Sequence, residues 1–333
     1  MRYTAVTQIP SIAIKQGTVP EGAQITIAIP TYKRAHLLRE TIDSCLAQQT
    51  NYPFAIMVID NNPERECKTE QLLREYEAIP HLFYYKNTEN IGMTGNWNKL
   101  FELAQTNFVV MLHDDDLLYN DYVEKVECIL RKYNYDINAL FLDIKVFSNY
   151  KNIPKRDSKK MTIKSIIPFD FSFGNSCAPT GVLIKRSVFI NLDGFNDSYF
   201  PSSDYEMYVR LSYLGKTFKL FDYTLSLYRI SENESMNSDT ILRMSEKDKI
   251  ITNDIVKSYP TLYKKLFYIY QKNRELLHFI GAKEVFKVNF PEINQKIREL
   301  KSKIIFFDKL IFLGWRVFIK LHFMLKPKTT IKL

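Results

Sequence analysis

The chain has 333 residues, of which 46% are hydrophobic and 25% are charged, and its formal net charge at pH 7 is +9. This composition allows one large α/β domain with an appendage, or two domains, and it excludes a chain that is disordered throughout. Four cysteines without regular spacing argue against a zinc site and fit free thiols in a reducing cytosol. We expect neither a signal peptide in the first 24 residues nor a membrane-spanning segment.

Strands and helices alternate from residue 25 to about residue 146. Apolar runs predict strands at 25–29 (ended by Pro30), 54–59, 82–85, 108–112 and 139–146. Helical periodicity predicts helices at 35–48, 66–78, 94–104 and 119–133. This alternation predicts a mostly parallel sheet with right-handed crossovers.

The second half of the chain continues the same pattern and then changes. Residues 148–164 are polar and predict a loop, 182–185 predict a strand, and 205–214 predict a helix. Strands at 218–221 and 225–228 are expected to finish the sheet, and the chain from residue 241 onward is expected to be all-helical. Positive charge is concentrated there: from Ile241 to the end, 20 Lys and Arg stand against 8 Asp and Glu, whereas the preceding 240 residues hold 26 against 29. The C-terminal third therefore suits an anionic surface.

Three consecutive carboxylates, Asp114, Asp115 and Asp116, follow the predicted strand at 108–112. A strand that ends in acids delivers them to the carboxyl edge of the sheet, where ligands bind in open α/β folds. Adjacent carboxylates repel one another unless a cation or a proton lies between them, and hard oxygen ligands suit Mg²⁺ or Mn²⁺. The alternative is an acidic N-cap of the helix that follows.

Four predicted strand ends share this sheet edge, and they carry residues 31–34, 60–62, 87–92 and 114–116. In order and spacing, these segments resemble the opening strand, second-strand acid, third segment and D-x-D motif of family 2 glycosyltransferases with the GT-A fold. The resemblance covers roughly residues 25 to 230. It implies an α/β, Rossmann-like nucleotide-binding fold, with a mostly parallel mixed sheet flanked by helices and a helical C-terminal extension.

The resemblance also implies a role for each segment. Asp116 and Asp114 would hold Mn²⁺ or Mg²⁺, with Asp116 as the closest ligand, and the ion would neutralise charge on the departing nucleotide diphosphate. Asp60 would accept the N3–H of a uracil or thymine ring; an Asx turn is the alternative. Further contacts to the nucleotide sugar are expected from Thr31, Arg34, Asn90, Asp114 and Asp115.

A later segment resembles the acceptor side of the same family. Residues 203–211 resemble the family's "E-D-x-x-x-x-x-R-L" helix start, with Ser203 in place of the first acid. In that family the aligned aspartate is the general base, so Asp204 would take the proton from an acceptor hydroxyl in a single displacement that inverts configuration. The alternative for Asp204 is a helix N-cap, and the two roles are compatible. Ser231 stands where many relatives carry a histidine, and no Q-x-x-R-W motif of processive synthases is present.

Residues 304–325 are densely apolar, and Lys309, Arg316 and Lys320 fall on one face of the expected helix. A basic amphipathic helix in the membrane interface fits this pattern; a helix packed on the catalytic domain or on a partner subunit is the alternative. We therefore expect an N-terminal extension (1–24), a catalytic domain (25–235, with a nucleotide-sugar half at 25–116 and an acceptor half at 117–235) and a basic helical region (236–333).

Together these observations predict an inverting, non-processive, metal-dependent glycosyltransferase. It would move one sugar from a UDP- or dTDP-sugar to a lipid-linked or cell-surface glycan, at the cytoplasmic face of the cell membrane. A nucleotidyltransferase is disfavoured because residues 31–34 form no glycine-rich phosphate loop. A non-catalytic sugar-nucleotide-binding protein is the main alternative, given Ser203 and Ser231. Nucleic-acid binding is disfavoured because the aromatic residues of the tail lie in unbroken apolar runs.

Overall fold

The computed structural model describes residues 2–156, 160–230 and 236–332. Within these ranges, ten strands form one mixed sheet and three form a second. The strands are β1 (Ser11–Lys15), β2 (Ile25–Thr31), β3 (Phe54–Asp60), β4 (Leu82–Asn87), β5 (Phe108–Met111), β6 (Leu117–Leu118), β7 (Ala139–Leu142), β8 (Ile144–Phe147), β9 (Lys160–Ser165), β10 (Val182–Lys185), β11 (Thr217–Phe221), β12 (Ser226–Arg229) and β13 (Lys328–Lys332).

Helices cover both faces of the large sheet and make up most of the C-terminal region. They are α1 (Tyr3–Val6), α2 (Ala35–Leu46), α3 (Lys68–Arg74), α4 (Gly92–Leu103), α5 (Tyr122–Lys132), α6 (Pro168–Phe171), α7 (Arg186–Asn191), α8 (Ser203–Tyr213), α9 (Ser238–Val256), α10 (Thr261–Val285), α11 (Pro291–Lys303) and α12 (Phe306–Leu325). None of the helices in the described ranges has the length and hydropathy needed to cross a bilayer.

The large sheet has the order β1-β4-β3-β2-β5-β10-β7-β11-β9-β13. Strands β4, β3, β2 and β5 run parallel, as the strand–helix alternation predicts, whereas β10 is antiparallel to both of its neighbours. Parallel pairing aligns Thr31 with Asp60 at the carboxyl ends of β2 and β3. The predicted fold class is confirmed, and several strand ends meet at one edge.

Strand β2 lies in the centre of the sheet and is buried along its whole length. Its alternating side chains feed two cores: Ile25, Ile27 and Ile29 pack on one face, and Ala28 faces the other. Because side chains alternate across a strand, both faces of β2 must be apolar when helices cover both sides. Pro30 lies within this strand and does not end it, which corrects the prediction from sequence.

Three corrections concern pairing between distant segments. The strand predicted at 139–146 is split at Asp143 into β7 and β8, which belong to different sheets, and β12 joins β8 in the smaller one. The polar segment 148–164 contains the start of β9, which pairs antiparallel with β13. The C-terminal region is therefore not all-helical, and at the other end of the chain β1 pairs with β4, so both termini extend the large sheet.

Candidate functional site

The carboxyl ends of β2 to β5 and the start of α8 border one cleft of about 660 Å³. Its lining includes four of the acidic and basic side chains predicted from the sequence, together with residues from α4 and α9. Residues that line the cleft include Thr31, Arg34, Asn61, Asn90, Trp97, His113, Asp114, Asp115, Asp204, Thr240 and Met244. The topology thus brings the nucleotide-side and acceptor-side motifs to opposite parts of a single cleft.

Arg34 joins two of the three consecutive carboxylates. Its guanidinium donates to Asp114 Oδ1 and to Asp115 Oδ2, each at 3.0 Å. Thr31 Oγ1 donates to the other Asp114 oxygen at 2.7 Å. Burial raises the pKa of Asp114 to about 6, although the Arg34 charge opposes the rise. Both Asp114 oxygens are therefore engaged at the floor of the cleft.

Asp116 lies beneath this floor and is 0% exposed. Its Oδ1 accepts the Arg229 backbone N–H at 2.8 Å, whereas Oδ2 accepts no hydrogen bond from the residues that the structure describes. Burial, reinforced by the charge of Asp115, raises the pKa of Asp116 well above its ordinary value. A buried carboxylate oxygen without a partner is unfavourable unless a proton or a cation satisfies it.

His113 points at the same place. Its Nδ1 lies 3.7 Å from Asp116 Oδ2, and its buried Nε2 has no hydrogen-bond partner within the described part of the chain. One donor atom from each of His113, Asp115 and Asp116 lie within 4.8 Å of one another. Burial lowers the pKa of His113, which keeps the imidazole neutral and available as a ligand. Trp97 stacks on the imidazole with ring centroids 5.3 Å apart and holds its plane.

This donor set fits a divalent cation, since it combines two carboxylates with a neutral imidazole, and its Asp116 Oδ2 atom is buried with no hydrogen-bond partner among the described residues. The set differs from the predicted one. Asp116 lies in this cluster, whereas both Asp114 oxygens accept from Thr31 and Arg34, and the role of Asp114 as a metal ligand stays a prediction. His113 was overlooked in the sequence, where it stands directly before the acids.

Asp60 is fully buried behind the wall of the cleft and does not line it. Its carboxylate accepts from Lys86 Nζ at 2.8 Å, Tyr84 Oη at 3.1 Å and the Asn62 backbone N–H at 2.9 Å. The cleft wall at this point is formed by the next residue, Asn61, whose Nδ2 donates to Asn90 Oδ1 at 2.7 Å. Asp60 and Asn90 were both predicted to contact the nucleotide sugar; Asn90 lines the cleft, and Asp60 does not.

Asp204 is the second residue of α8 and lines the cleft with 9% of its surface exposed. Its Oδ2 accepts from Asn175 Nδ2 at 3.0 Å. Burial raises the pKa of Asp204 to about 7, the backbone N–H of Tyr205 opposes the rise, and the charge of Asp248 adds to it. A carboxyl with a pKa near neutrality is suited to accept and release a proton at physiological pH.

The neighbours of Asp204 have structural roles. Ser203, which replaces the acid expected from the resemblance, donates its hydroxyl to the Asn196 carbonyl at 2.9 Å. Arg210 is paired with Glu206 at 2.7 Å and donates to the Leu192 carbonyl, so these two side chains stabilise the fold. The other departure noted in the sequence, Ser231, lies outside the described residues.

Residues 26–192 match the model of the family described as Glycosyl transferase family 2. The chain belongs to glycosyl transferase family 2. An uncharacterised glycosyltransferase of Rickettsia typhi is 26% identical over 239 residues, covering 70% of this chain and 71% of that protein. A second, from Rickettsia prowazekii, is 25% identical over 270 residues, covering 74% and 81%.

Two solved structures share the architecture of this family 2 chain. Residues 1–349 of S. aureus TarS, in complex with UDP-GlcNAc, give a TM-score of 0.54 at 14% identity and cover 88% of this chain and 91% of that one. The mannosyltransferase PcManGT from Pyrobaculum calidifontis, in complex with GDP-Man and Mn²⁺, gives 0.53 at 14% identity and covers 93% and 88%. The fold is GT-A-like, and the protein is a glycosyltransferase.

Proposed function

We propose that this glycosyltransferase is inverting and metal-dependent, and that it moves one sugar from a UDP- or dTDP-sugar to a hydroxyl of a lipid-linked or cell-surface glycan. The observation that carries the proposal is the pairing within one cleft of the buried acidic cluster and Asp204, whose pKa is about 7. A donor diphosphate at the first and an acceptor hydroxyl at the second would place the anomeric carbon between them.

At the donor end, His113, Asp115 and Asp116 would hold Mn²⁺ or Mg²⁺, which when bound supplies positive charge for the diphosphate leaving group. Arg34 would orient the same diphosphate, since its guanidinium lies at the cleft floor between Asp114 and Asp115. We propose that Thr31 sets the orientation of Asp114 toward the ribose or the sugar.

The nucleobase would lie against Asn61 and Asn90, which form the cleft wall beyond β3 and β4. Asp60 is proposed to contribute to base recognition from its buried position behind this wall. Because Asp60 is fully buried and does not line the cleft, a direct contact from Asp60 to the N3–H of uracil or thymine requires the Asn61 segment of the wall to move. Asn61 and Asn90 would therefore read the base. The buried Asp60 carboxylate holds the loop that carries Asn61 by accepting the Asn62 backbone N–H.

At the acceptor end, Asp204 would act as the general base. An oxygen of Asp204 takes the proton of the acceptor hydroxyl while that hydroxyl oxygen bonds to the anomeric carbon. The bond from this carbon to the diphosphate oxygen breaks in the same step, so the nucleoside diphosphate leaves with the electron pair and the anomeric configuration inverts. Asn175, which donates to Oδ2, holds the carboxylate in place.

A transfer assay tests this role directly. Nucleoside diphosphate release is measured with a panel of donors and a glycan-lipid extract as acceptor, and proton NMR of the product gives its anomeric configuration. We expect Asp204→Asn to lose acceptor-dependent release, by roughly 10²- to 10⁴-fold, and to keep donor affinity. The control Asp239→Asn changes an exposed carboxylate that pairs with Arg243 on α9. A product that retains the donor configuration would rule out the single displacement.

The metal assignment has a readout independent of activity. Electron spin echo spectra of Mn²⁺ bound to the protein should show nitrogen coupling from the His113 imidazole, and His113→Gln should remove it. We expect Asp116→Asn to abolish tight Mn²⁺ binding and Asp114→Asn to preserve it. Loss of tight binding in both variants would restore the predicted Asp114–Asp116 pair, and retention of binding in Asp116→Asn would exclude the cluster described above.

The partner of the C-terminal region is proposed to be a membrane surface. Apolar side chains form a stripe along the exposed face of α12, with Leu313 58%, Val317 54% and Met324 64% exposed. Lys309, Arg316 and Lys320 are exposed along one side of this stripe. The opposite face, including Trp315, packs on α10. A helix that presents an apolar stripe with a basic flank suits an anionic bilayer interface.

Vesicle co-sedimentation tests this contact. We expect binding to anionic phosphatidylglycerol vesicles, weaker binding to neutral ones, and loss of binding in Leu313→Glu/Val317→Glu. Each of the three flanking cations should contribute about 1 kcal/mol. Leu262→Glu, an exposed leucine on α10 (70% exposed), is the matched control. Absence of vesicle binding together with a concentration-dependent dimer that the double variant abolishes would identify a second copy as the occupant.

A further inference from the structure

A cluster of charged side chains lies between α9 and α10, behind Asp204 and outside the main cleft. It surrounds a cavity of about 20 Å³. The members are Ser245, Asp248, Lys249, Gln271, Arg274, Glu275 and His278. Asp248 pairs with Arg274 at 3.1 Å, and Lys249 pairs with Glu275 at 2.5 Å. Partly buried ion pairs are weak evidence for stability, since desolvation offsets their attraction, so this cluster calls for another explanation.

One member of the cluster holds the segment that precedes the proposed base. Ser202 Oγ donates to Asp248 Oδ1 at 2.8 Å. Ser202 is the N-cap residue of α8, and its own side chain makes no capping hydrogen bond. The hydroxyl that would ordinarily cap the helix is therefore directed to α9, and it ties the start of α8, two residues before Asp204, to the helical region.

A second member supports the segment on the other side of Asp204. The Arg274 guanidinium packs against Gly174, where an added Cβ would lie 2.5 Å from Arg274 Cζ. Gly174 also has a φ of +119°, which L side chains rarely adopt. Both the close approach of Arg274 and this backbone conformation therefore require glycine at this position. The next residue, Asn175, donates to Asp204 Oδ2. Arg274 thus backs the loop that holds the carboxylate.

We propose that Asp248 and Arg274 are positioning residues that fix the Asp204 carboxylate from the helical region, through Ser202 on one side and Gly174–Asn175 on the other. This inference rests on the proposed role of Asp204 as the base. It makes α9 and α10 part of the acceptor site, in agreement with Thr240 and Met244 of α9 in the cleft lining.

The charge of Asp248 has a separate effect on the base. The titratable groups that face Asp204 are Asp248 from α9, Tyr208 from its own helix and Cys177 from the preceding loop. Of these, Asp248 raises the pKa of Asp204. Burial raises the pKa of Asp248 itself, and the Arg274 charge opposes this rise and favours the ionised form of Asp248. Removing the Asp248 charge should therefore lower the pKa of the base.

The test is the pH dependence of kcat for acceptor-dependent transfer by the full-length protein. We expect Asp248→Asn to move the acid limb of the profile to lower pH and to reduce the plateau by roughly tenfold through misplacement of the base, with the donor KM unchanged. Asp248→Glu should restore the position of the limb. Asp239→Asn, on the exposed side of α9, should leave both unchanged.

Ser202→Ala separates positioning from charge, because it removes the hydroxyl and leaves every charge in place. We expect its kcat to fall while the acid limb stays where it is in the unaltered protein; it also serves if Asp248→Asn does not fold. A Ser202→Ala variant with full kcat, or an Asp248→Asn variant with an unreduced plateau, would overturn the positioning proposal. An acid limb that Asp248→Asn leaves unmoved would overturn the effect of the Asp248 charge. A wild-type profile with no acid limb near pH 7, or an active Asp204→Asn, would instead overturn the role of Asp204 itself.

Discussion

Asp204→Asn should make the protein more stable at pH 8 while it inactivates the enzyme. In the folded state the pKa of Asp204 is about 7, compared with an ordinary value of 3.8. The folded protein therefore binds this proton more tightly than the unfolded chain does, and stability falls as the pH rises from 3.8 to 7. The full difference corresponds to ~4 kcal/mol at ~1.4 kcal/mol per pH unit.

Asparagine cannot ionise, so the variant escapes this penalty. It still accepts from Asn175 through its amide oxygen, but its NH₂ group needs an acceptor that the carboxylate did not need. We expect the net gain in the free energy of unfolding at pH 8 to be roughly 1–3 kcal/mol after that loss. The gain should shrink as the pH falls below 7 and turn into a loss of roughly 1–3 kcal/mol near pH 4, where the carboxyl of the unaltered protein is protonated in the folded and the unfolded state and only the cost of the NH₂ group remains.

Urea unfolding followed by far-UV circular dichroism at pH 8, 7, 6 and 5 measures this difference. Asp239→Asn, which changes an exposed carboxylate, should shift stability by no more than about 0.5 kcal/mol at any pH. If Asp204→Asn gave the same stability difference from the unaltered protein at pH 5 as at pH 8, the carboxyl would not have the raised pKa on which its catalytic role depends.

Three further substitutions test the framework that holds the site. Lys86→Met should destabilise the fold by about 3–5 kcal/mol, because it leaves the buried carboxylate of Asp60 without its ion-pair partner. Lys86→Met/Asp60→Asn should recover much of the loss. A Lys86→Met variant as stable as the native protein would contradict this prediction. Gly181→Ala should cost about 1–3 kcal/mol at a φ of +76°, with the new Cβ 2.8 Å from Ser226 Cβ. Phe189→Ala should cost about 3–5 kcal/mol of core packing. Urea midpoints decide both, and a change below about 0.5 kcal/mol would refute either.

The sequence predicts the edge of the sheet well because its signals there are local. The acids at 114–116 directly follow a buried apolar strand, and parallel strands place their carboxyl ends together. The position of Asp204 at the start of α8 also has a local signal, since the helical periodicity of residues 205–214 begins directly after it, whereas its candidate role came from the resemblance to family 2. In both cases a few neighbouring residues determine the backbone, and the side chain follows.

Contacts between distant segments escape this kind of reasoning. Residues 160–165 mix two lysines with polar and apolar residues. No pattern in the neighbouring sequence indicates that this segment pairs with β13, which lies more than 160 residues later. The ion pair between Asp60 and Lys86 depends on the register of β3 and β4, which the hydrophobic pattern leaves open. This ion pair explains why the Asp60 carboxylate, which was expected to contact the nucleobase, lies behind the cleft wall.

His113 shows a different limit. Three acids in a row suggest that carboxylates alone hold a metal, and a single histidine beside them is easily taken as part of the strand end. Its significance depends on the orientation of the imidazole, which Trp97 fixes by stacking, and on the Asp116 oxygen that faces it. Neither can be inferred from spacing along the chain.

Isothermal titration with UDP-, dTDP- and GDP-sugars, with and without Mn²⁺, tests the central claim most directly. Our account predicts that one UDP- or dTDP-sugar binds only when metal is present, that Asp116→Asn loses this binding, and that Asp204→Asn keeps it. Metal-independent binding, or equal loss of donor affinity in both variants, would contradict the division of the cleft into a metal-dependent donor end and a base at the acceptor end.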